Sequence, residues 1–284
     1  MLRHALIALL ALLAAASCCA QQTRTEPAPI RFLISFDDGP SGDKINNSTE
    51  QVLDVLAHNG VQPGIKAIFF IQTNAARGGG TAIGKALMRR EQEEGHLLEF
   101  HTATPHHTDY CNLPDEELDA SLNDGMAELS AVKGTAPTLV RPPFWHYDER
   151  TLAAYQKHGM RVLLTDLSAN DGKIWGVNFS FSKRSNMLKQ LTELRRQWQA
   201  GELPVVDGST PVVVTFHDVN TYTSNHLQVY LRILLDVARE LNMPTAPTPF
   251  YEGRDALQRA ATARVVKEGE VRPRLPGIWN WLWQ

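Results

Sequence analysis

Hydrophobic and polar positions follow two alternating periods from Arg31 onward. Short apolar, β-rich runs predict strands over 31–36, 67–71, 97–100, 138–140, 161–164 and 211–216. Between them, apolar positions at helical spacing predict helices over 49–59, 82–94, 115–132, 149–158, 182–199 and 225–241. In the first helix Val52, Val55 and Leu56 fall at i, i+3 and i+4, and Thr49 stands where an N-cap would. Pro114 followed by Asp115, Glu116 and Glu117 opens another helix with acidic groups at the positive end of its dipole. Gly159 follows His158 as a C-cap glycine would. Repeated strand–helix alternation predicts parallel strands with crossover helices, either a barrel or an open doubly wound sheet.

The first twenty residues have a different character. Met1-Leu2-Arg3-His4 is a short basic start, and 5–16 is an unbroken run of Ala, Leu and Ile. A bilayer span needs about 18–20 apolar residues, so this shorter run predicts an export signal over 1–20. Cleavage after Ala20 would release a soluble protein. Alternatively, Ala15-Ala16-Ser17-Cys18 resembles a bacterial lipobox, which would put a lipid anchor on Cys18. Residues 21–30, polar with two prolines, read as a tether in either case. Both exits predict a periplasmic or extracellular location. Outside the signal only Cys111 remains, read as a small packed side chain with no disulfide to make.

Composition narrows the function. With 284 residues and 43% hydrophobic content, the chain can bury the core of one large domain or two small ones, which excludes disorder and a disulfide scaffold. Lys and Arg number 28 against 31 Asp and Glu, a net charge of -3 with no basic footprint for nucleic acid. The expected partner is therefore a neutral small molecule or glycan. No glycine-rich phosphate-binding motif follows a strand, and Gly78-Gly79-Gly80 lacks that context.

The chemistry gathers after the strands. The first ends in Ser35-Phe36-Asp37-Asp38-Gly39-Pro40, and the third runs into His101 with His106 and His107 beyond it. The fourth runs into Arg141-Pro142-Pro143-Phe144-Trp145, the fifth into Asp166 and Asp171, and the sixth into His217-Asp218. In parallel α/β architectures the C-terminal strand ends face a common site, so these groups should converge.

In this order, these motifs resemble the polysaccharide deacetylase family with the NodB-type domain, carbohydrate esterase family four. The pattern T/S-F-D-D-G-P is matched in full by Ser35 to Pro40, and R-P-P-Y/F by Arg141 to Phe144; the His-containing, Asp-containing and strand-closing His segments are looser matches. The resemblance implies a distorted (β/α) barrel of about seven parallel strands, with the catalytic domain over 31–266 and a Trp-rich tail over 267–284.

Carried over residue by residue, the resemblance implies that Asp38, His101 and His106 hold one divalent metal, zinc first. Three protein ligands suit a catalytic zinc, which leaves a position for water and lowers its pKa to about 7. The family's commonest form has three residues between the two histidines. Here that position is Pro105, so the second histidine is His106 or His107, and His106 is the expected one. Asp37 becomes the general base and His217 the general acid for the leaving amine. Arg141 keeps Asp37 charged, and Asp171 orients His217, with Asp166 as the alternative to Asp171. Phe144 and Trp145 are expected to contact a sugar ring, and the Phe144 loop to offer an N–H to the oxyanion. Trp175, the 178–185 segment and Trp279, Trp281 and Trp283 are weaker candidates for the groove.

The resulting expectation is an exported, metal-dependent hydrolase that removes acetyl groups, N-acetyl first, from a polysaccharide. Peptidoglycan or an N-acetylglucosamine exopolysaccharide ranks ahead of chitin and acetylxylan. Two rival readings are a catalytically silent glycan-binding protein and a small-amide amidohydrolase of the same fold.

Overall fold

Strand β1 (Ile30–Asp37) organises the molecule because it has three neighbours instead of two. In the computed structural model, residues 26–171 and 183–267 are described. The expected signal over 1–20, Cys18, residues 21–25 of the tether, Trp175, the 178–182 portion of the weaker candidates and the tail beyond residue 267 lie outside the described residues.

The other strands are β2 (Ile68–Gln72), β3 (Leu97–Thr102), β4 (Leu139–Val140), β5 (Arg161–Val162), β6 (Leu167–Ser168), β7 (Thr210–His217) and β8 (Thr245–Phe250). Seven run in the order β5-β4-β3-β2-β1-β7-β6, and β8 joins β1 off that path. All pairings are parallel. Along one edge of β1, β2 pairs with Ser35 to Asp37 while β8 pairs with Ile30 and Phe32. Among the described residues no pairing joins β5 to β6, so the result is a distorted (β/α) barrel with an opening. Helices α1 (Ser48–Ala57), α2 (Ala82–Glu93), α3 (Asp115–Lys133), α4 (Glu149–Lys157), α5 (Lys183–Ala200), α6 (Thr221–Glu240) and α7 (Arg254–Ala263) complete the α/β fold.

The two-residue period of β1 sorts its side chains into two cores. Phe32, Ile34 and Phe36 share one apolar cluster with Val52 and Leu56 of α1 and Leu227 and Leu231 of α6. Leu33 points the other way, into a cluster with Ile68, Phe70, Leu97, Leu139, Leu163 and Val213 inside the barrel, closed by Leu257, Ala260 and Ala261 of α7. Ile68, Leu97 and Leu139 open their strands, so α7 seals the N-terminal end. Continuing by twos from Leu33 gives Ser35 and Asp37, and from Val213 gives Thr215 and His217. The β1–β7 register pairs them in turn: Leu33 with Val213, Ser35 with Thr215, Asp37 with His217. One face of two adjacent strands thus passes from an apolar floor to a polar mouth at the C-terminal ends.

Three elements are absent from the sequence expectation. β6 is two residues long, too short to show a period. β8 reads Thr-Ala-Pro-Thr-Pro-Phe, whose prolines suggest a loop, but it pairs with β1 alone, and an edge strand tolerates missing N–H donors. That pairing leads directly into α7. The cap of α1 also differs. Asn47, not Thr49, accepts from the backbone N–H groups of Thr49 and Glu50, at 3.0 and 3.2 Å. No described helix is long and apolar enough to cross a membrane.

Candidate active site

Asp38 leaves the strand in a left-handed conformation, φ 73°, which Asp tolerates better than most residues and which swings its carboxylate away from that of Asp37. Gly39 must follow without a side chain, because a Cβ there would lie 2.2 Å from a carboxylate oxygen of Asp218. His101, on β3 and 2% exposed, donates Nδ1–H to the Arg141 carbonyl at 2.6 Å. That bond orients the ring and points its Nε2 at the cluster, 3.1 Å from Asp38 Oδ1 and 3.1 Å from His107 Nε2. His107 Nε2 lies 3.5 Å from the same Asp38 oxygen.

The structure therefore corrects one expectation: His107, not His106, joins Asp38 and His101. Thr104 and Thr108 both donate their hydroxyls to the His106 carbonyl, at 2.6 and 3.0 Å. This turn after Pro105 leaves the His106 side chain exposed and carries the next residue inward. Two imidazole nitrogens and a carboxylate converging on one point suit a cation of the zinc class, which takes mixed N and O ligands. Electrostatics agree. Burial pushes His107 down to about 4, against the pull of Asp38, so its ring is neutral at neutral pH. Burial also opposes charge on Asp38, but the His101 hydrogen bond and the neighbouring histidines outweigh it and hold the carboxyl well below its usual range.

Asp37 sits beside this cluster, 1% exposed, with Oδ1 3.0 Å from Arg141 Nη1. Arg141 is fully buried inside the barrel. Its Nη1 also donates to Ser35 Oγ and Thr215 Oγ1, at 2.9 and 2.7 Å, and its Nε donates to the Leu163 carbonyl at 2.9 Å. The guanidinium lies over the Phe70 ring, 4.2 Å from its centroid. Leu163 belongs to the connection between β5 and β6, so Arg141 ties the two sides of the barrel opening to β1 and β7. Asp37 Oδ2 accepts from Trp145 Nε1 at 3.4 Å.

His217 closes β7. Its Nδ1 pairs with Asp171 Oδ1 at 2.7 Å, and its backbone N–H donates to Asp171 Oδ2 at 2.9 Å. Thr223 Oγ1 and the Asn220 side-chain amide also donate to Asp171. His217 Nε2 then faces the cluster, 3.9 Å from Asp38 Oδ2. Burial opposes a charged His217, but the Asp171 charge and hydrogen bond outweigh it, and the ring's pKa is raised to about 10. Asp166 is placed elsewhere, accepting from the Val213 N–H at 2.8 Å and from Arg264.

Phe144 and Trp145 occupy consecutive left-handed positions, φ 58° and 59°, in the turn after β4. Phe144 is 52% exposed, and its ring rests on His107 with centroids 4.3 Å apart. The sequence reading left out Ser35 and Thr215, which hold Arg141, and Thr49, which donates to Asp218 Oδ2 at 2.6 Å. A signal existed: Ser35 and Thr215 are polar residues on the inward period of otherwise apolar strands.

The profile described as Polysaccharide deacetylase matches residues 25–163. A chitin deacetylase of Pestalotiopsis is 28% identical over 143 residues, covering 50% of this chain and 44% of the relative. The chain spans about half or less of the length of the first curated relatives it matches. A family 4 carbohydrate esterase of Streptomyces lividans, solved with acetate, superposes with a TM-score of 0.53 at 19% identity over 78% of this chain and 95% of its own. The chitin deacetylase structure of Colletotrichum lindemuthianum gives 0.52 at 22% identity over 80% and 94%. These structures share the fold, and the stretch 25–163, about half of the chain, matches the polysaccharide deacetylase family.

Proposed function

We propose that this protein hydrolyses acetyl groups, N-acetyl groups first, from a polysaccharide, with one divalent cation of the zinc class held by Asp38, His101 and His107. The observation that carries the reading is the placement of Asp37 and His217 on adjacent strands beside that cluster, each locked by an opposite charge. A cation held there supplies Lewis-acid polarisation and makes water a nucleophile near neutral pH. The chain's own groups supply the rest. Asp37, oriented by its ion pair with Arg141, accepts a proton from the attacking water. His217, kept protonated by Asp171, gives its Nε2 proton to the departing amine nitrogen, so the amine leaves neutral. The N–H groups of Trp145 and His146 donate to the Pro142 and Pro143 carbonyls, so the donor this loop offers the oxyanion falls to Phe144 N–H, at the unsatisfied start of the turn. Phe144 and Trp145 present aromatic surface to a sugar ring.

The expected signal over 1–20 supports a substrate outside the cytoplasm, peptidoglycan or an N-acetylglucosamine exopolysaccharide, reached by a released or Cys18-anchored protein. Acetate release from peptidoglycan, chitin oligomers, poly-N-acetylglucosamine and acetylxylan, with and without chelator, tests the reading. Release from an N-acetylated glycan, abolished by chelator and restored by zinc, supports it. Measurable glycan binding with no acetate released from any of the four would overturn it in favour of a silent binding protein.

A further inference from the structure

A second cluster of metal-binding side chains lies at the base of the same two loops. Asp109, Cys111 and His146 each offer a ligand atom, and these atoms all lie within 4.8 Å of one another. Asp109 and Cys111 belong to the segment after His107, at the short 3-10 turn Tyr110–Asn112. His146 follows Trp145 in the turn after β4. All three are partly exposed, so an ion can reach them from solvent.

The group is already assembled by hydrogen bonds, and the Cys111 side chain hydrogen-bonds with Thr151 and Asp109. Asp109 Oδ1 accepts from the Cys111 N–H at 2.9 Å, and Asp109 Oδ2 pairs with His146 Nδ1 at 2.8 Å. Arg150 braces the turn by donating to the Tyr110 and Cys111 carbonyls, each at 3.0 Å. Zinc bonds of about 2.0–2.3 Å at tetrahedral angles put ligand atoms about 3.3–3.8 Å apart, which small side-chain rotations reach from the observed spacing. Burial and the carboxylates of Asp109 and Asp148 push the thiol up to about 12, so Cys111 carries its proton at neutral pH and is no free nucleophile. A bound dication reverses that balance, and the S–H proton passes to solvent as the metal–sulfur bond forms.

We infer that Asp109, Cys111 and His146 form a second divalent-cation site, for a thiophilic ion of the zinc class, that clamps the His107 loop to the Phe144–Trp145 loop. The mixed S, N and O donors distinguish it from the N and O cluster of the catalytic site. The inference does not depend on the proposed reaction, because its readout is the thiolate itself.

The test is a cadmium titration of the full chain carrying Cys18→Ser and Cys19→Ser, which leaves Cys111 as the one thiol. The ultraviolet thiolate-to-cadmium absorption should appear in this parent, and should saturate at one equivalent when His107→Ala disables the catalytic cluster. It should vanish in Cys111→Ser. His146→Gln and Asp109→Asn, the latter retaining an acceptor for the Cys111 N–H, should each weaken the apparent affinity at least tenfold. Absence of the band in the parent would overturn the site. An unchanged affinity in both His146→Gln and Asp109→Asn would also overturn it, since a thiol acting alone would explain the band.

Discussion

Asp37 and His217 are register partners on adjacent parallel strands, yet they are held by opposite charges: Asp37 by the Arg141 guanidinium at 3.0 Å, His217 by the Asp171 carboxylate at 2.7 Å. A carboxylate beside a buried cation stays able to accept a proton. An imidazole beside a buried anion stays loaded with one. The two flank the same cluster with partners of opposite charge.

That difference separates two variants by their response to the leaving group. Asp37→Asn and His217→Ala should both retain the bound cation and each lose roughly 10²–10⁴-fold in rate, the usual contribution of a positioned acid or base. An acetyl ester with a good leaving alcohol needs little protonation. It should partly rescue His217→Ala and leave Asp37→Asn crippled. Identical responses to leaving-group quality, or cation loss in His217→Ala, would refute the assignment.

The two histidines of the β3 loop should separate as sharply. His107→Ala is expected to lose one zinc per chain relative to the parent, read after dialysis, together with activity. His106→Ala, altering an exposed ring, should keep both within about twofold. Zinc loss in His106→Ala with retention in His107→Ala would restore the original expectation from sequence.

Arg141 carries structural weight beyond its charge. Arg141→Met leaves Asp37 buried beside no cation and strips donors from Ser35, Thr215 and the Leu163 carbonyl. Breaking a buried pair from one side typically costs about 3–5 kcal/mol. Chemical denaturation should show a loss of that order, and Asp37→Asn combined with Arg141→Met should recover part of it. A fully additive double variant would mean that the pair is not coupled.

Asp218 makes stability depend on pH. Burial pushes its carboxyl up to about 7 from an ordinary 3.8, against the Thr49 hydrogen bond, and its Oδ1 is buried without a hydrogen-bond partner among the described residues. Between those two values the folded chain binds more protons at this group than the unfolded chain, so its contribution falls as pH rises through the window. Asp218→Asn removes the titration, and urea midpoints measured between about pH 4 and 8 should decline less steeply than in the parent. An unchanged slope would show that the group does not titrate there.

Much of this site was legible in the chain because parallel α/β architecture sends strand ends to one face. Asp37, Asp38, His101, Arg141 and His217 could be read as convergent from their positions after predicted strands. The choice between His106 and His107 could not, because it is made by two threonine hydroxyls on one carbonyl, a tertiary detail of a loop without periodicity. Asp171 and Asp166 are separated in the same way, by which of them meets the end of β7. β8 and α7 escaped because prolines hide an edge strand whose pairing appears only once β1 is in place.

The turn that carries Phe144 and Trp145 holds two large side chains where the backbone favours glycine. Left-handed geometry costs an L-residue about 1–2 kcal/mol, while glycine gives back about 0.5–1 kcal/mol through the freer unfolded chain. Phe144→Gly should therefore leave thermal stability unchanged or raise it by no more than about 1 kcal/mol, even though it deletes an aromatic ring. Its expected penalty falls on KM for polymeric substrate, with the ring's support of His107 lost as well. If KM holds while the melting temperature drops, the ring is serving the fold and not the ligand. Otherwise, selecting this chain for heat resistance alone would erode the surface that meets its substrate, and the two properties would have to be screened together.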